Sequence, residues 1–201
     1  MNLIISPHID DEVIGCGGMI DKCEEASYVY FCGVEDFHEI SQYDRLKEVK
    51  DVSEFLSYEC EVNLFSVVNG YKVVDFIDIF QEVIKRVKPD KIFIPYASYN
   101  QDHQAVYHAA MIALRPHDRN FFVKKVLTYE GIGAFQWMNN DYKVNHFVPI
   151  NVDTKELAYG LHKSQVREFR SMKHVRALAE LRGSQIGVPY AEAFIIERWV
   201  E

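Results

Sequence analysis

The sequence contains no uninterrupted apolar run approaching the roughly 18 residues that a membrane-spanning helix needs. Its opening stretch, MNLIISPHIDDE, has no basic segment before the apolar residues and soon turns acidic, which is not the pattern of a secretory signal peptide. We therefore expect a protein that does not insert into membranes and that resides in the cytoplasm.

The sequence has few cysteines, and their spacing matches no known disulfide or metal-binding motif. The four cysteines form no CxxC pair and show no zinc-finger spacing, and all lie in the first third of the chain. This usage favours free, mostly buried thiols in a reducing compartment over a disulfide framework.

Basic residues are also in deficit. The 22 lysines and arginines face 30 aspartates and glutamates, which gives a formal net charge of −8. A general nucleic-acid-binding protein usually carries a basic stripe, so we expect no nucleic-acid partner. A local basic pocket could still bind a small anion within an acidic protein.

What the sequence does contain is a regular alternation of short apolar runs and longer segments with helical periodicity. This alternation predicts a single-domain, Rossmann-like α/β fold with a mostly parallel sheet and helices on both faces. No linker rich in Gly, Pro or Ser divides the 201 residues. The predicted strands are 3–5, 27–34, 62–68, 91–96, 121–129, 146–150 and 193–200, and the predicted helices are 13–23, 42–56, 73–87, 103–114 and 154–181, the last long or broken.

Two polar loops follow the first and fourth predicted strands. The first loop contains HIDDE, residues 8–12, and the second contains SYNQDH, residues 98–103. Ligands of open α/β sheets bind outside the carboxyl ends of the strands, so we expect these loops to meet. Three adjacent acidic residues repel one another unless a cation lies among them, and the HIDDE segment therefore predicts a divalent metal, most simply zinc.

The residue types in the two loops suit a hydrolytic zinc site. His8, Asp11 and His103 supply two imidazoles and one carboxylate, and a catalytic zinc takes three protein ligands and keeps one position for water. Asp10 is then the general base that accepts a proton from this water, and Asp102 orients a neighbouring ligand. Zn–N bonds are about 2 Å long, so ring nitrogens of His8 and His103 must lie within about 6 Å of each other.

Simpler interpretations exist for the same residues. Asp10 or Asp11 could serve only as the N-cap of a helix, with Glu12 favoured by the helix dipole. Gly15, Gly17 and Gly18 form GCGG and not GxGxxG, and they indicate close helix–sheet packing or substrate access more than a dinucleotide site.

The segments PHIDDEVIGCGG and NQDH together resemble the LmbE-like, or PIG-L, family of zinc-dependent N-deacetylases. YDRLKEVKDVSEFL is similar to the family's helix with Arg and Glu, and VLTYE and YAEAF match in type and order. The resemblance extends over nearly the whole chain and implies one LmbE-like domain over residues 1–201.

The resemblance implies a reaction and a set of roles. His8, Asp11 and His103 fall on the zinc ligands, Asp10 falls on the general base, and Arg45 falls on a substrate-contacting arginine. The implied activity is hydrolysis of the N-acetyl group of an acetylated amino sugar or sugar conjugate. One Zn²⁺ per chain is expected, although another divalent metal is possible, and relatives often form homo-oligomers.

Two residues depart from the family pattern. Ile9 replaces a proline but is not a ligand. Asn100 stands where many relatives have a histidine that stabilises the oxyanion or assists the leaving amine. An asparagine can donate a hydrogen bond to an oxyanion but cannot deliver a proton. The acid is then either protonated Asp10 or His38, and the sequence leaves both open.

Several alternatives stay open at this point. The substrate could be a larger amide, in an acylated thiol-sugar or natural product, or the chain could be a metal-binding module without turnover. Arg45 could be a solvated charge, and His38 an exposed loop residue. Tyr99 or Trp137 could stack on a sugar ring, and Glu192 could reach the substrate.

Overall fold

The computed structural model describes residues 1–118, 120–131 and 142–201. Within these residues seven strands form one sheet in the order β3-β2-β1-β4-β5-β7-β6. The first five strands are parallel to one another, and β7 runs antiparallel to both of its neighbours. The strands are β1 (Asn2–Ser6), β2 (Ser27–Phe31), β3 (Glu59–Val62), β4 (Lys91–Pro95), β5 (Lys125–Tyr129), β6 (His146–Pro149) and β7 (Ala191–Trp199).

Six helices cover the two faces of this sheet in the described residues. Successive side chains of β1 point to opposite faces: Ile4 joins one buried apolar cluster, while Leu3 and Ile5 join the other. Both faces must be covered, and the predicted α/β fold with helices on both faces is confirmed. The helices are α1 (Asp11–Lys22), α2 (Gln42–Leu56), α3 (Val73–Val87), α4 (Gln101–Ala113), α5 (Val152–Leu161) and α6 (Met172–Ser184).

The strand order places a crevice between β1 and β4. From β1 the chain builds outward through β2 and β3, and it then crosses to β4 and builds in the other direction. The loops that follow β1 and β4 therefore leave the sheet in opposite directions, which opens the crevice where doubly wound folds bind ligands. HIDDE and SYNQDH border this crevice.

The predicted third strand over residues 62–68 is wrong in its position. The strand covers Glu59–Val62, because these residues pair in register with Tyr28–Phe31 of β2. Beyond it the side chain of Asn63 accepts a hydrogen bond from the backbone N–H of Phe65, which forms a turn and ends the strand. Phe65 is 96% exposed, so its apolar character gave a misleading strand signal.

The segment 154–181, which the sequence predicts as either one long helix or a broken one, is a broken helix. Residues 162–171 form a loop between α5 and α6, which we call the arginine loop because it carries Arg167 and Arg170. The hydroxyl of the fully buried Tyr159 donates to the carbonyls of Gln165 and Arg170 and so holds the loop against the core.

Glycines in α1 allow that helix to pack closely on its neighbours. A Cβ at Gly15 would lie 2.1 Å from the ring of Tyr129, and one at Gly18 would lie 2.6 Å from the side chain of Ile150. Close packing therefore explains these two glycines. Within the described residues, none of the helices combines the length and the apolar character that a bilayer crossing requires.

Candidate active site

Three predicted ligands converge at the carboxyl ends of β1 and β4. His8 lies in the loop after β1, Asp11 begins α1, and His103 lies in the first turn of α4. One ligand atom from each residue lies within 4.8 Å of the other two, which meets the distance limit expected from the sequence. Two imidazoles and a carboxylate at this spacing could hold a divalent metal, and they are a donor set that zinc accepts.

Asp102 orients His8 and does not join this ligand group. The Oδ2 atom of Asp102 lies 2.9 Å from Nε2 of His8, while Nδ1 of His8 lies 3.2 Å from Asp11. Backbone N–H groups of Asn69 and Tyr71 hold the Asp102 carboxylate in turn. Burial lowers the pKa of His8, but its hydrogen bonds to Asp102 and Asp11 outweigh burial and raise the pKa to about 9.

Asp10 has an unusual backbone that the adjacent Glu12 stabilises. Its φ of 116° lies in the left-handed region, which Asp enters more readily than most residues. The buried carboxylate of Glu12 accepts the N–H of Asp10 at 3.0 Å. Asp10 occupies the N-cap position of α1, yet its side chain makes no capping hydrogen bond. The capping interpretation therefore does not account for Asp10.

The carboxylate of Asp10 is buried beside the ligand group. It is 1% exposed, and its Oδ2 atom accepts no hydrogen bond from the described residues. Nη2 of Arg170 approaches this oxygen to 3.4 Å, an ion-pair contact without hydrogen-bond geometry. Burial raises the pKa of Asp10 to about 6, and the positive charge of Arg170 opposes the rise. Such a carboxylate can exchange a proton near neutral pH.

Asn100 is the N-cap of α4. Its side-chain oxygen accepts the backbone N–H of Asp102 at 2.8 Å and that of His103 at 3.3 Å. The cap uses the carbonyl oxygen, so the side-chain NH₂ group is the part that could serve as a hydrogen-bond donor in the crevice. The structure thus explains why an asparagine is favourable here, and its part in catalysis stays a prediction.

Arg45 is not a solvated charge. It is 6% exposed in α2, and its Nη1 donates to the backbone carbonyl of Glu35 at 2.6 Å. Its Nε atom is buried without a partner among the described residues. Burial lowers the pKa of Arg45, while the nearby carboxylate of Asp10 acts in the opposite direction.

A buried network behind Asp10 could not be read from the sequence. His162 is fully buried, and its Nε2 lies 2.7 Å from Glu12, which also accepts the hydroxyl of Tyr58. His162 follows Glu12 by 150 residues, so no local pattern links them. The available signal was Glu12 itself, an acidic residue just beyond an apolar strand and its loop. A buried acid needs a hydrogen-bonding or charged partner from elsewhere in the chain.

Two other buried acids lie in ion pairs. Glu130, directly after β5, makes two hydrogen bonds to Arg182 of α6. Glu192 accepts Lys155 and the N–H groups of Gly18 and Met19 inside the protein. Glu192 therefore anchors α1, and the idea that it reaches the substrate is wrong.

The remaining candidates lie on the surface or outside the described residues. His38 is exposed, with a φ of 54° in the tight turn that links Phe37 and Ile40. Tyr99 is 59% exposed in the loop before α4. Trp137 lies outside the described residues.

Solved structures share this fold. A conserved protein from Thermus thermophilus superposes with a TM-score of 0.81 at 23% identity. The superposition covers 100% of this chain and 95% of the Thermus thermophilus chain. N,N′-diacetylchitobiose deacetylase from Pyrococcus horikoshii gives 0.78 at 22% identity, with 97% and 82% covered. A 4-carboxy-2-hydroxymuconate hydratase from Pseudomonas putida gives 0.81 at 19% identity, with 100% and 98% covered. At these identities the likeness establishes the fold alone, since a deacetylase and a hydratase share it.

The sequence identifies the family directly. No curated protein matches the chain. The family model of PIG-L, described as GlcNAc-PI de-N-acetylase, matches residues 3–114. This segment is more than half of the chain and contains His8, Asp10, Asp11, Arg45 and His103. The chain belongs to the PIG-L family.

Proposed function

We propose that this protein is a zinc-dependent N-deacetylase that hydrolyses the acetyl amide of an N-acetylated amino sugar or sugar conjugate. The observation that carries the proposal is the convergence of His8, Asp11 and His103 beside Asp10, a buried carboxylate whose Oδ2 atom has no hydrogen bond to the described residues. The family description and the activity of the Pyrococcus horikoshii deacetylase support this substrate class.

His8, Asp11 and His103 would hold one divalent ion per chain. Zinc at this position would supply Lewis acidity, which lowers the pKa of water and polarises an amide carbonyl. Asp102 would keep Nε2 of His8 engaged, so that Nδ1 stays directed toward Asp11 and the shared ion.

Asp10 would carry the proton through the reaction. Its carboxylate would accept one proton from the attacking water as the new C–O bond forms, and it would return that proton to the nitrogen as the C–N bond breaks. The products are acetate and the amine in its protonated form, because the second proton of the water also ends on the nitrogen, and no further reactant is needed. A pKa raised to about 6 suits a group that must both accept and donate a proton. The exposed His38 is the less suitable acid because it lies on a surface turn.

Metal analysis combined with acetate release tests the proposal. We expect about one zinc per purified chain and acetate release from an accepted N-acetyl sugar. Asp10→Asn should lower kcat about 10²- to 10⁴-fold while zinc is retained, because a positioned general base contributes that much. Asp21→Asn is the matched control, since Asp21 is an exposed residue of the same helix.

Other results would point elsewhere. Wild-type rates in the Asp10→Asn variant would contradict the assigned base. Cleavage of bulky amides in preference to N-acetyl sugars would favour an amidase for a larger acylated thiol-sugar or natural product. Stoichiometric zinc with no turnover of any amide would favour a metal-binding module.

A further inference from the structure

Tyr71 lies in the loop between β3 and α3, residues 63–72, and reaches the loop that follows β1. Its side chain is buried, with 8% of the residue exposed. Its hydroxyl donates to the backbone carbonyl of Pro7 at 3.1 Å. Its ring centroid lies 6.0 Å from that of His8, with an angle of 23° between the two ring planes. One side chain therefore contacts both the peptide unit before His8 and the His8 ring.

The peptide unit between Pro7 and His8 is held at both of its ends. Its carbonyl accepts the hydroxyl of Tyr71, and its N–H donates to Oδ2 of Asp11 at 3.1 Å. Hydrogen bonds at the two ends of one peptide unit polarise it in the same sense, so each strengthens the other. This peptide unit sets where the His8 side chain begins, and Tyr71 and Asp11 together fix that starting point.

The His8 ring itself needs a third restraint. Its Nε2 atom lies 2.9 Å from Asp102, and its Nδ1 atom lies 3.2 Å from Asp11. These two contacts fix the ring at its nitrogens but leave it free to tilt about the line that joins them. A nearly parallel aromatic ring limits such a tilt, and the observed separation of the centroids is within the range of aromatic pairs. Tyr71 supplies that ring.

The backbone of the same loop fixes Asp102. The N–H of Tyr71 donates to Oδ1 of Asp102 at 3.2 Å, and the N–H of Asn69 donates to Oδ2 at 2.6 Å. Asn69 has a φ of 66°, in the left-handed region that asparagine enters readily. The Tyr71 ring also packs edge-on against the buried Phe76 of α3, with 5.0 Å between the centroids. The loop therefore connects the core beneath α3 to both His8 and Asp102.

Gly33, just beyond β2, leaves the space that the Tyr71 hydroxyl occupies. A Cβ atom at Gly33 would lie 2.3 Å from Oη of Tyr71, and its next contacts would be ordinary or slightly tight, at 3.2 and 3.3 Å. The φ of Gly33 is not positive, so its backbone does not itself require glycine. The missing side chain at this position is thus explained by the hydroxyl of Tyr71.

We infer that Tyr71 is a positioning residue for the metal site, because it fixes the direction in which the ring nitrogens of His8 point. Its hydroxyl holds the peptide unit before His8, its ring limits the tilt of the imidazole, and its backbone N–H holds the carboxylate that engages Nε2. The hydroxyl is occupied by Pro7, so Tyr71 acts through His8 and Asp102 and is not a catalytic residue. The inference rests on the proposed function, since the ion that His8 would bind is part of that proposal.

Metal binding by two variants tests the inference. Tyr71→Phe removes only the hydroxyl, and Tyr71→Leu removes the ring as well. Zinc affinity, measured by competition with a chromophoric chelator, should fall about 10-fold in Tyr71→Phe and about 100-fold in Tyr71→Leu, the range expected when a group that orients a ligand is lost. The visible absorption spectrum of the Co²⁺-substituted protein reports the geometry of the ligands, and it should change in Tyr71→Leu.

Tyr142→Phe is the matched control. It removes a buried hydroxyl that donates to the backbone carbonyls of Thr128 and Ala193, so it also affects packing, but it should keep the wild-type zinc affinity and Co²⁺ spectrum. Wild-type affinity and spectrum in Tyr71→Leu would contradict the inference. Equal losses in Tyr71→Phe and Tyr142→Phe would reduce the effect to one of general stability and would also contradict it.

Gly33→Ala tests the same hydrogen bond from the other side. The added methyl group should displace the Tyr71 hydroxyl and lower zinc affinity at least as much as Tyr71→Phe does. Adding Tyr71→Phe to Gly33→Ala should cause no further loss, because both changes remove one interaction. Gly160→Ala is the control, since a Cβ at Gly160 would meet no atom within 4 Å. Losses that simply add in the double variant would show that Gly33 and the hydroxyl act independently.

The metal-free protein separates this inference from the proposed function. The ring N–H of His8 that faces Asp102 should give a downfield proton resonance in NMR spectra of the wild type, identified by its absence from His8→Gln. Tyr71→Leu should lose or broaden this resonance, and Tyr142→Phe should retain it. If the wild type binds no metal but shows this difference, the positioning role stands and the proposed metal-dependent function fails. A resonance that is unchanged in Tyr71→Leu, or missing from the wild type, overturns the inference even if zinc binds and acetate is released.

Discussion

At the scale of single residues, the site depends on side chains that hold the candidate functional residues in position. Asp102 holds Nε2 of His8, and Glu12 holds the backbone of Asp10 in its left-handed conformation. Neither Asp102 nor Glu12 belongs to the ligand group, yet each determines where a proposed functional atom points.

Asp102→Asn should weaken zinc binding about 10- to 100-fold, because loss of a hydrogen-bonding partner of a ligand typically has that effect. Competition with a chromophoric chelator measures the affinity. Asp78→Asn, an exposed change in α3, should leave the affinity at the wild-type value. Equal affinities in all three proteins would contradict the orienting role.

His162 should make stability depend on pH. Burial lowers the pKa of His162, but the charge and hydrogen bond of Glu12 outweigh burial and raise the pKa above its ordinary 6.5. The resulting stabilisation is complete below about pH 6.5 and is lost as pH rises through the pKa of the folded protein. The advantage of wild type over His162→Gln in free energy of unfolding should therefore shrink as pH rises above about 6.5.

Urea denaturation in the presence of a chelator measures this difference without a contribution from metal binding. His108→Gln, an exposed change in α4, is the control. Its difference from wild type in free energy of unfolding should not decrease as pH rises. An advantage that grows with pH would refute the assignment.

At the scale of elements, α1 is positioned by two partners inserted from the opposite end of the chain. Lys155 of α5 donates to the carbonyl of Ile14, and Glu192 of β7 accepts the N–H groups of Gly18 and Met19. Lys155 and Glu192 also bind each other at 2.6 Å. This buried pair ties the helix that carries Asp11 to the antiparallel part of the sheet.

Lys155→Met should destabilise the protein by about 3–5 kcal/mol, because it leaves Glu192 buried without its counter-ion. Urea unfolding measures the loss. The double variant Lys155→Met with Glu192→Gln should recover part of it, since glutamine removes the buried charge and keeps one acceptor oxygen for the backbone N–H of Gly18 or Met19. A Lys155→Met protein as stable as the exposed control Lys124→Met would show that the pair contributes little.

At the scale of the whole molecule, the site joins segments that are far apart in sequence. His8 and Asp11 come from the first strand–helix unit, and His103 comes from the fourth, 95 and 92 residues further along the chain. An ion bound by all three residues would therefore bind the folded state in preference to the unfolded one.

Zinc should consequently raise the thermal stability of the wild-type protein. At a free concentration about a thousand times Kd, the stabilisation is about 4 kcal/mol, or about 10 °C in Tm for a chain of this size. A chelator should abolish the gain, and His103→Gln should show much less of it. His108→Gln on the same helix is the control, and an unaltered Tm with zinc would count against the site.

Much of this arrangement could be predicted because its causes are local. Apolar periodicity placed most strands and helices within a few residues of their observed bounds, and the known position of ligands in α/β sheets brought HIDDE and SYNQDH together. Leu64 and Phe65 misled the prediction of β3, because strand formation there depends on pairing with β2 and not on hydrophobicity. The burial of Arg45 likewise depends on tertiary packing, which places its guanidinium against the carbonyl of Glu35 and near the ring of Phe37.

The amino-acid sequence by itself determined the α/β alternation and the family, and it predicted the candidate metal ligands, because side-chain chemistry and short spacings are properties of neighbouring residues. Only the tertiary structure decided the partners of the buried charges, such as Glu12 with His162 and Glu192 with Lys155. A charge can be buried only where a distant segment supplies its partner, and that meeting is a consequence of packing.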